Sequence, residues 1–287
     1  MHQILTQIEY IQDQLHQEVF KRGFKKVVVG LSGGIDSVVV AKLCANAFGA
    51  DLHALLLPAS SSSRAHLEDA IGFATAQNIT YTITSIAPFE RLFRERESLS
   101  PASDSDLLDS MPLNSVQKTR VGNFCARMRM AHLYDFAATH HALVIGTSNK
   151  SEIMLGYGTL HGDLAYAINP IGNFYKTEVF ALAKALKIPQ TIIDKKPSAD
   201  LFKNQSDESD LGYTYAQIDP FLQALQSTLD AQNLHLTDLS LADTAIIGTI
   251  RDSLLTQGFS PALTDSLLHR IFMNTFKAKM PTILTPK

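Results

Sequence analysis

The sequence predicts an α/β chain: a three-layer open parallel sheet with helices on both faces, followed by a helical C-terminal region. Three observations carry that prediction. Short runs rich in Val, Ile and Leu alternate with segments of helical length from Lys25 onward. Turn residues separate them, and a strand, a crossover helix and a further strand build a parallel sheet covered on both sides. From Tyr215 onward the pattern is helical.

Taken in order, Ile4, Ile8, Ile11, Leu15 and Val19 recur at helical spacing with Gly23 placed as a C-cap, which predicts an amphipathic first helix. Residues 25–31 (KKVVVGL) form a short β-branched run and read as a buried strand. A Ser/Gly turn follows, then a helix over 38–48 ended by Gly49. Residues 52–57 are a second strand stopped by Pro58; Ser63 is placed to cap a helix through about Gln77, and 79–84 are a third strand. Further on, 123–138 read as a helix and 142–145 as a strand closed by Gly146. Three stretches break the alternation. Residues 98–115 are acidic and Ser-rich and read as a loop or lid. Residues 156–172 hold four glycines and two tyrosines and read as a long functional loop; 194–212 are polar and expected to be mobile without ligand. No internal repeat is visible.

The bulk numbers bound the function. With 287 residues, 45% of them apolar, the chain is sized for one or two domains and needs no disulfide or metal to fold. Charged residues are 18% and the net charge is −3, which argues against a nucleic-acid partner held on a basic face. The two cysteines, Cys44 and Cys125, fit a reducing compartment and read as small core hydrophobes. The N-terminus carries acidic residues and no continuous apolar stretch, so it does not read as a signal peptide. No run approaches the ~20 apolar residues that cross a bilayer. The expectation is a cytoplasmic protein with neither membrane nor nucleic acid as partner.

The strongest local signal is Gly30-Leu31-Ser32-Gly33-Gly34-Ile35-Asp36-Ser37, between a strand and a helix. Gly33 and Gly34 let the backbone turn sharply and approach phosphate oxygens. The helix start that follows offers free N–H groups and a positive dipole end. Asp36 would repel phosphates unless a cation lay between, and Mg²⁺ is the ion that bridges carboxylates to phosphate oxygens. The pattern is neither a Walker A loop nor the dinucleotide fingerprint. It resembles the SGGxDS loop of the ATP-pyrophosphatase group, whose members split ATP between its α- and β-phosphates and hold the leaving pyrophosphate there.

Later motifs narrow the group. Ala126-Arg127-Met128-Arg129-Met130 lies on a helix, and Gly146-Thr147-Ser148-Asn149-Lys150-Ser151-Glu152 follows a strand. Asn169-Pro170-Ile171-Gly172, Lys176 and Pro197-Ser198-Ala199-Asp200-Leu201 come next, then Asp207-Glu208, Leu211-Gly212, Tyr215 and Asp219. In this order and spacing they resemble NAD synthetase, over residues 30–220. The resemblance implies a Rossmann-like ATP-pyrophosphatase fold and a single domain: an N-terminal helix (1–24), an α/β nucleotide-binding core (25–200), and a mobile segment with C-terminal helices (201–287). It implies a ligase that makes NAD from deamido-NAD, ATP and ammonia through an acyl-adenylate, working as a homodimer with residues 123–138 near the interface.

Carried over by position, residues Gly30 to Ser37 bind the ATP phosphates, Asp36 and Glu152 hold Mg²⁺, and Asp36 and Lys176 are catalytic. Thr147, Lys176 and Ser198 contact ATP, with Ser198 where the family usually has Thr. Arg127 contacts the dinucleotide. The chain departs from the family's Phe-Phe-Thr-Lys stretch: Leu160 stands at the Lys position, and Ala167 where a later Asp is usual. Lys277 and Lys279 are stand-ins for a C-terminal His-Lys pair. With no room before Lys25 for a glutaminase domain, free ammonia is the expected nitrogen donor.

Other residues have plainer readings. Arg129 stands between a surface ion pair and a phosphate role, and Lys150 between a phosphate contact and a solvent-facing side chain. His140-His141 reads as a helix end and the 104–109 acidic cluster as solvated loop. A tRNA-thiolating relative would bring CxxC pairs and a basic face, both absent from the sequence. A GMP-amidating one would bring a further dimerisation domain, and a non-catalytic nucleotide sensor would not need Asp36, Ser37, Glu152 and Lys176 together.

Overall fold

Helical spacing and a β-branched run decide the start of the molecule. The computed structural model describes residues 2–97, 99, 113–198, 205–279, 283 and 284. Helix α1 (His2–Lys21) buries Ile8, Leu15 and Val19, and Gly23 turns the chain at φ 81°. Strand β1 (Lys26–Gly30) then enters the core with Val27, Val28 and Val29 fully buried. The remaining core elements are α2 (Ile35–Phe48), β2 (Leu52–Leu56), α3 (Arg64–Ala76), β3 (Thr80–Ile83), α4 (Ala87–Arg96), α5 (Ser115–His140) and β4 (Ala142–Ile145). After them come α6 (Lys150–Leu155), α7 (Lys176–Ala185), α8 (Gln190–Ile193) and α9 (Asp207–Leu211). The C-terminal helices are α10 (Tyr215–Ala231), α11 (Thr244–Thr256) and α12 (Pro261–Asn274), with a 3₁₀ turn over Thr275–Ala278.

The sheet is parallel, with strand order β3-β2-β1-β4. Because side chains alternate along a strand, Val27 and Val29 join one apolar cluster with α1, α2, α3 and α7, while Val28 joins another beneath α4 and α5. Cys44 lies in the first cluster and Cys125 in the second, and burial pushes each thiol up to about 12. Both are core residues, as the sequence suggested. Order reverses at β1, whose neighbours are β2 on one side and β4 on the other. In such sheets the crevice beyond the strand ends at the reversal is where ligands bind.

The helix expected over 123–138 is longer at both ends. Asn114 caps its start through Gln117 N–H (2.9 Å) with the reciprocal bond from its own N–H to the Gln117 side chain, and His141 in the left-handed region ends it. Residues 113–115 therefore lead into a helix and not a lid; 98 and 100–112, including the 104–109 acidic cluster, lie outside the described residues. The stretch 194–212 is likewise not loop throughout, because α9 buries Asp207 and Leu211; 199–204 lie outside the described residues. Residues 156–172 have no helix or strand, although Ile168 bridges Ile145 in parallel like a short extension of the sheet. No helix among the described residues is long and apolar enough to cross a membrane.

A third apolar cluster joins α10, α11 and α12 to α6. Asp219 on α10 ties this unit to the core. It is 1% exposed and accepts the Ser151 hydroxyl at 2.6 Å and the Thr177 N–H at 2.8 Å, so it fixes the helices carrying Glu152 and Lys176. Losing a buried charged acceptor costs roughly 2–3 kcal/mol. Asp219→Ala is expected to lower unfolding free energy by that amount in urea melts and to reduce turnover; an unchanged midpoint would contradict this.

Candidate active site

Gly30 ends β1, and residues 30–37 turn across the sheet's carboxyl edge into α2. Gly33 takes φ 84°, and a Cβ there would run into the His66 carbonyl, so both conformation and space require glycine. Ser37 locks the turn: its hydroxyl donates to Gly34 O (2.9 Å) and accepts from Ser32 N–H (3.2 Å). Gly34 gives α2 no side-chain cap, which leaves first-turn N–H groups to an anion.

In the first turn of α2, Asp36 meets residues from three other segments. Asn149, the N-cap of α6, donates through Nδ2 to Asp36 Oδ1 at 3.0 Å and forms a reciprocal capping box with Glu152. Lys176, at the start of α7, is 1% exposed. Its ammonium bonds Asp36 Oδ2 and lies 3.4 Å from Glu152 Oε1 and 4.0 Å from Asp207 Oδ2. Asp207 in turn accepts from the Tyr215 hydroxyl (3.2 Å) and the Tyr157 hydroxyl (3.3 Å). Three carboxylates against one ammonium leave the cluster formally two negative charges over. Burial, with Asp36 and Asp207 adding to it against Lys176, pushes Glu152 up to about 8. Burial disfavours the charge on Lys176, but Asp36, Glu152 and Asp207 outweigh it and raise the ammonium above its usual range. Asp36 and Glu152 keep 18% and 16% side-chain exposure, so a cation arriving from solvent can reach both. Hard oxygen donors with a surplus of negative charge fit a divalent ion such as Mg²⁺.

Above this cluster opens a cavity of about 760 Å³. Gly30, Leu31, Ser32, Gly34, Asp36, Ser37, Thr147, Glu152 and Ser198 line it, while Gly33, Ile35 and Lys176 lie behind the wall. Arg127 does not line it; exposed on the flank of α5, it donates to Leu160 O at 3.3 Å. Arg129 does line it, bonded to Leu57 O (3.1 Å) and Ser62 Oγ (3.2 Å) and, among the described residues, to no surface carboxylate. Lys150 stays off the wall with its ammonium 4.7 Å from the Tyr175 ring centre. His140 ends α5.

Sequence reasoning gave no role to Asp207 or Asp163. Asp163 faces the cavity and orders its own loop by accepting Thr159 N–H at 2.8 Å, while the Thr159 hydroxyl donates to Asn123 at 2.7 Å. Lys277 also reaches the wall, donating to Gly156 O (2.8 Å) and Gly158 O (3.1 Å). Lys279 is absent from that wall.

The NAD synthase family model matches residues 7–280. An NH(3)-dependent NAD(+) synthetase of Helicobacter hepaticus is 48% identical, the alignment covering 98% of this chain and 97% of that one. Among solved structures, the NH3-dependent NAD synthetase of Campylobacter jejuni, in complex with the nitrate ion, superposes at TM-score 0.72 with 35% identity over 98% of this chain and 99% of its own. The NMN synthetase of Francisella tularensis superposes at 0.73 with 30% identity over 99% and 98%.

Proposed function

The chain belongs to the NAD synthase family, and from that premise we propose that it forms NAD from deamido-NAD, ATP and ammonia by way of an acyl-adenylate. The observation that supports this most is the meeting, in one cavity, of the glycine turn with two solvent-reachable carboxylates around a buried lysine.

The nicotinate carboxylate does not react with ammonia directly. One of its oxygens attacks the α-phosphorus of ATP, and the bond to the bridging oxygen breaks to release pyrophosphate. Ammonia then attacks the acyl carbon, AMP leaves with the former carboxylate oxygen, and the surplus proton passes to solvent. Attack at phosphorus depends on alignment and charge neutralisation. Gly30, Leu31, Ser32, Gly33, Gly34, Ile35 and Ser37 form the turn that holds the phosphates, and Lys176 keeps a fixed positive charge at its base. Thr147 and Ser198 contact ATP from elsewhere on the cavity wall. Asp36 and Glu152 would hold Mg²⁺, with Asp207 behind them, and such an ion would supply neutralisation of phosphate charge. Arg129, from the cavity wall, and Arg127, from its flank, supply positive charge to the dinucleotide.

The intermediate must be kept from water, which a closing loop achieves. Residues 156–172 are the closing segment proposed among the described residues. The chain works as a homodimer in this account, with α5 near the interface; Phe89, Leu92, Val116 and Tyr134 give α4 and α5 exposed apolar surface for it.

A coupled assay tests the function. With Mg-ATP and deamido-NAD, ammonium is expected to support NAD formation with one AMP per NAD, and glutamine is not. Since one structural neighbour is an NMN synthetase, nicotinate mononucleotide is included as a competing substrate; preference for it, or pyrophosphate release with neither, would overturn the reading.

A further inference from the structure

A buried ion pair lies beneath the cavity wall, outside the machinery just described. Glu90 is 2% exposed and Arg94 7%, one turn apart on α4, with Arg94 Nη1 3.6 Å from Glu90 Oε1. Such a pair is weak evidence for stability, because apolar side chains of similar volume serve as well in a core. The other Glu90 oxygen does something no apolar residue can. It accepts the Ser60 N–H at 2.8 Å.

Ser60 belongs to the loop of residues 57–63 that leaves β2 and forms part of the wall. The loop is held at further points. Pro58 O accepts Ile86 N–H at 2.9 Å, and Ser62 Oγ accepts both Ala59 N–H (3.0 Å) and the Arg129 guanidinium (3.2 Å). Arg129 Nε reaches back to Leu57 O at 3.1 Å. Glu90 is therefore the buried end of a chain of hydrogen bonds and loop backbone that finishes on Arg129 at the cavity. With the phosphates on the glycine turn, the adenosine of ATP has two directions open. Toward β4 the wall carries the carboxylates of Glu152 and Asp163 beside Val144 and Ile145; toward β2 it carries Leu55, Leu56, Leu57 and Leu67 with Ser62, Ser63 and His66, and no carboxylate among the described residues. An adenine ring is favoured on the second.

We infer that Glu90 is a positioning residue for ATP: its carboxylate holds loop 57–63, and with it the adenosine wall and Arg129, without touching the nucleotide. The inference rests on the reading of the cavity as an ATP site.

The test separates the clamp from stability. Glu90→Met combined with Arg94→Met keeps the volume and removes both charges, so the fold is expected to hold while the Ser60 N–H loses its acceptor. Calorimetric titration with Mg-ATP alone should show about tenfold weaker binding, and KM for ATP should rise in step while kcat changes by less than about threefold. Glu90→Gln keeps an oxygen for Ser60 and should bind within about threefold of wild type. In the wild-type protein, Mg-ATP should slow amide exchange across residues 57–63. Wild-type affinity in the double variant, Glu90→Gln binding as weakly as the double variant, or no slowing in 57–63 would each overturn the role of Glu90. Wild-type protein that binds no Mg-ATP would overturn the ATP reading itself.

Discussion

Asp36→Ala is expected to cut NAD formation on the order of a hundred- to a thousand-fold while leaving the fold as stable as before. Asp36 lies at the cavity floor beside the phosphate turn, and it is one of two carboxylates there that an ion from solvent reaches. Removing one electrostatic stabiliser of a transition state costs about that factor. Stability should not follow activity. The cluster carries more negative than positive charge, so deleting one carboxylate relieves repulsion and leaves Lys176 with Glu152 and Asp207. Glu152→Ala is expected to behave alike in turnover. It also removes half of the capping box on α6, whose loss costs ~1 kcal/mol. Pyrophosphate release and thermal melts on the same samples check this; near-normal release from either variant would remove both residues from the chemistry.

Lys176→Met should do the opposite to the balance: activity and stability fall together. The substitution keeps the aliphatic bulk but takes away the one ammonium that, among the described residues, lies between Asp36, Glu152 and Asp207. Breaking a buried charge cluster by removing one partner typically costs ~3–5 kcal/mol. The pH dependence follows from the carboxylates. Glu152 already sits near 8 through burial, opposed by Lys176, and without that lysine it rises further. A carboxyl raised in the folded state favours folding below its unfolded value and loses that contribution as pH climbs through the folded one. In chelator, both proteins therefore lose stability alike up to about pH 8, and the variant is expected to lose more than wild type above it, where Glu152 ionises in folded wild type but not yet in the variant. A pH-independent difference in urea midpoint would show that Lys176 does not hold the cluster together.

Much of the fold was legible because periodicity is local. The run 25–31, the turn at Gly33 and the spacing of Ile4 to Val19 each contain their own explanation. Short helices were less so: α6, α7 and α9 span 6, 10 and 5 residues, too few for a periodic signal, and their caps lie inside stretches read for other reasons. The early start of α5 did have a signal, since Asn114 followed by Gln117 is a capping pair.

The site was legible as motifs but not as an arrangement. Nothing in the sequence says that Lys176 is buried behind the wall, because that follows from Asp36, Glu152 and Asp207 converging from distant segments. The choice between the arginines of α5 was within reach. Asn123, Ala126, Arg129, Met130 and Leu133 share one helical face and line the cavity, and Arg127 falls off that face. Lys277 could not be ranked above Lys279 without the position of α12, which brings it to the carbonyls of Gly156 and Gly158.

The most direct test of the account follows the carboxylate oxygen. Deamido-NAD carrying heavy oxygen in its nicotinate carboxylate is turned over with Mg-ATP and ammonium, and the products are read by mass spectrometry. Attack on the α-phosphorus predicts one heavy oxygen in AMP and none in pyrophosphate. Label in pyrophosphate or inorganic phosphate, or unlabelled AMP alongside NAD, would contradict the acyl-adenylate on which every role given to this cavity depends.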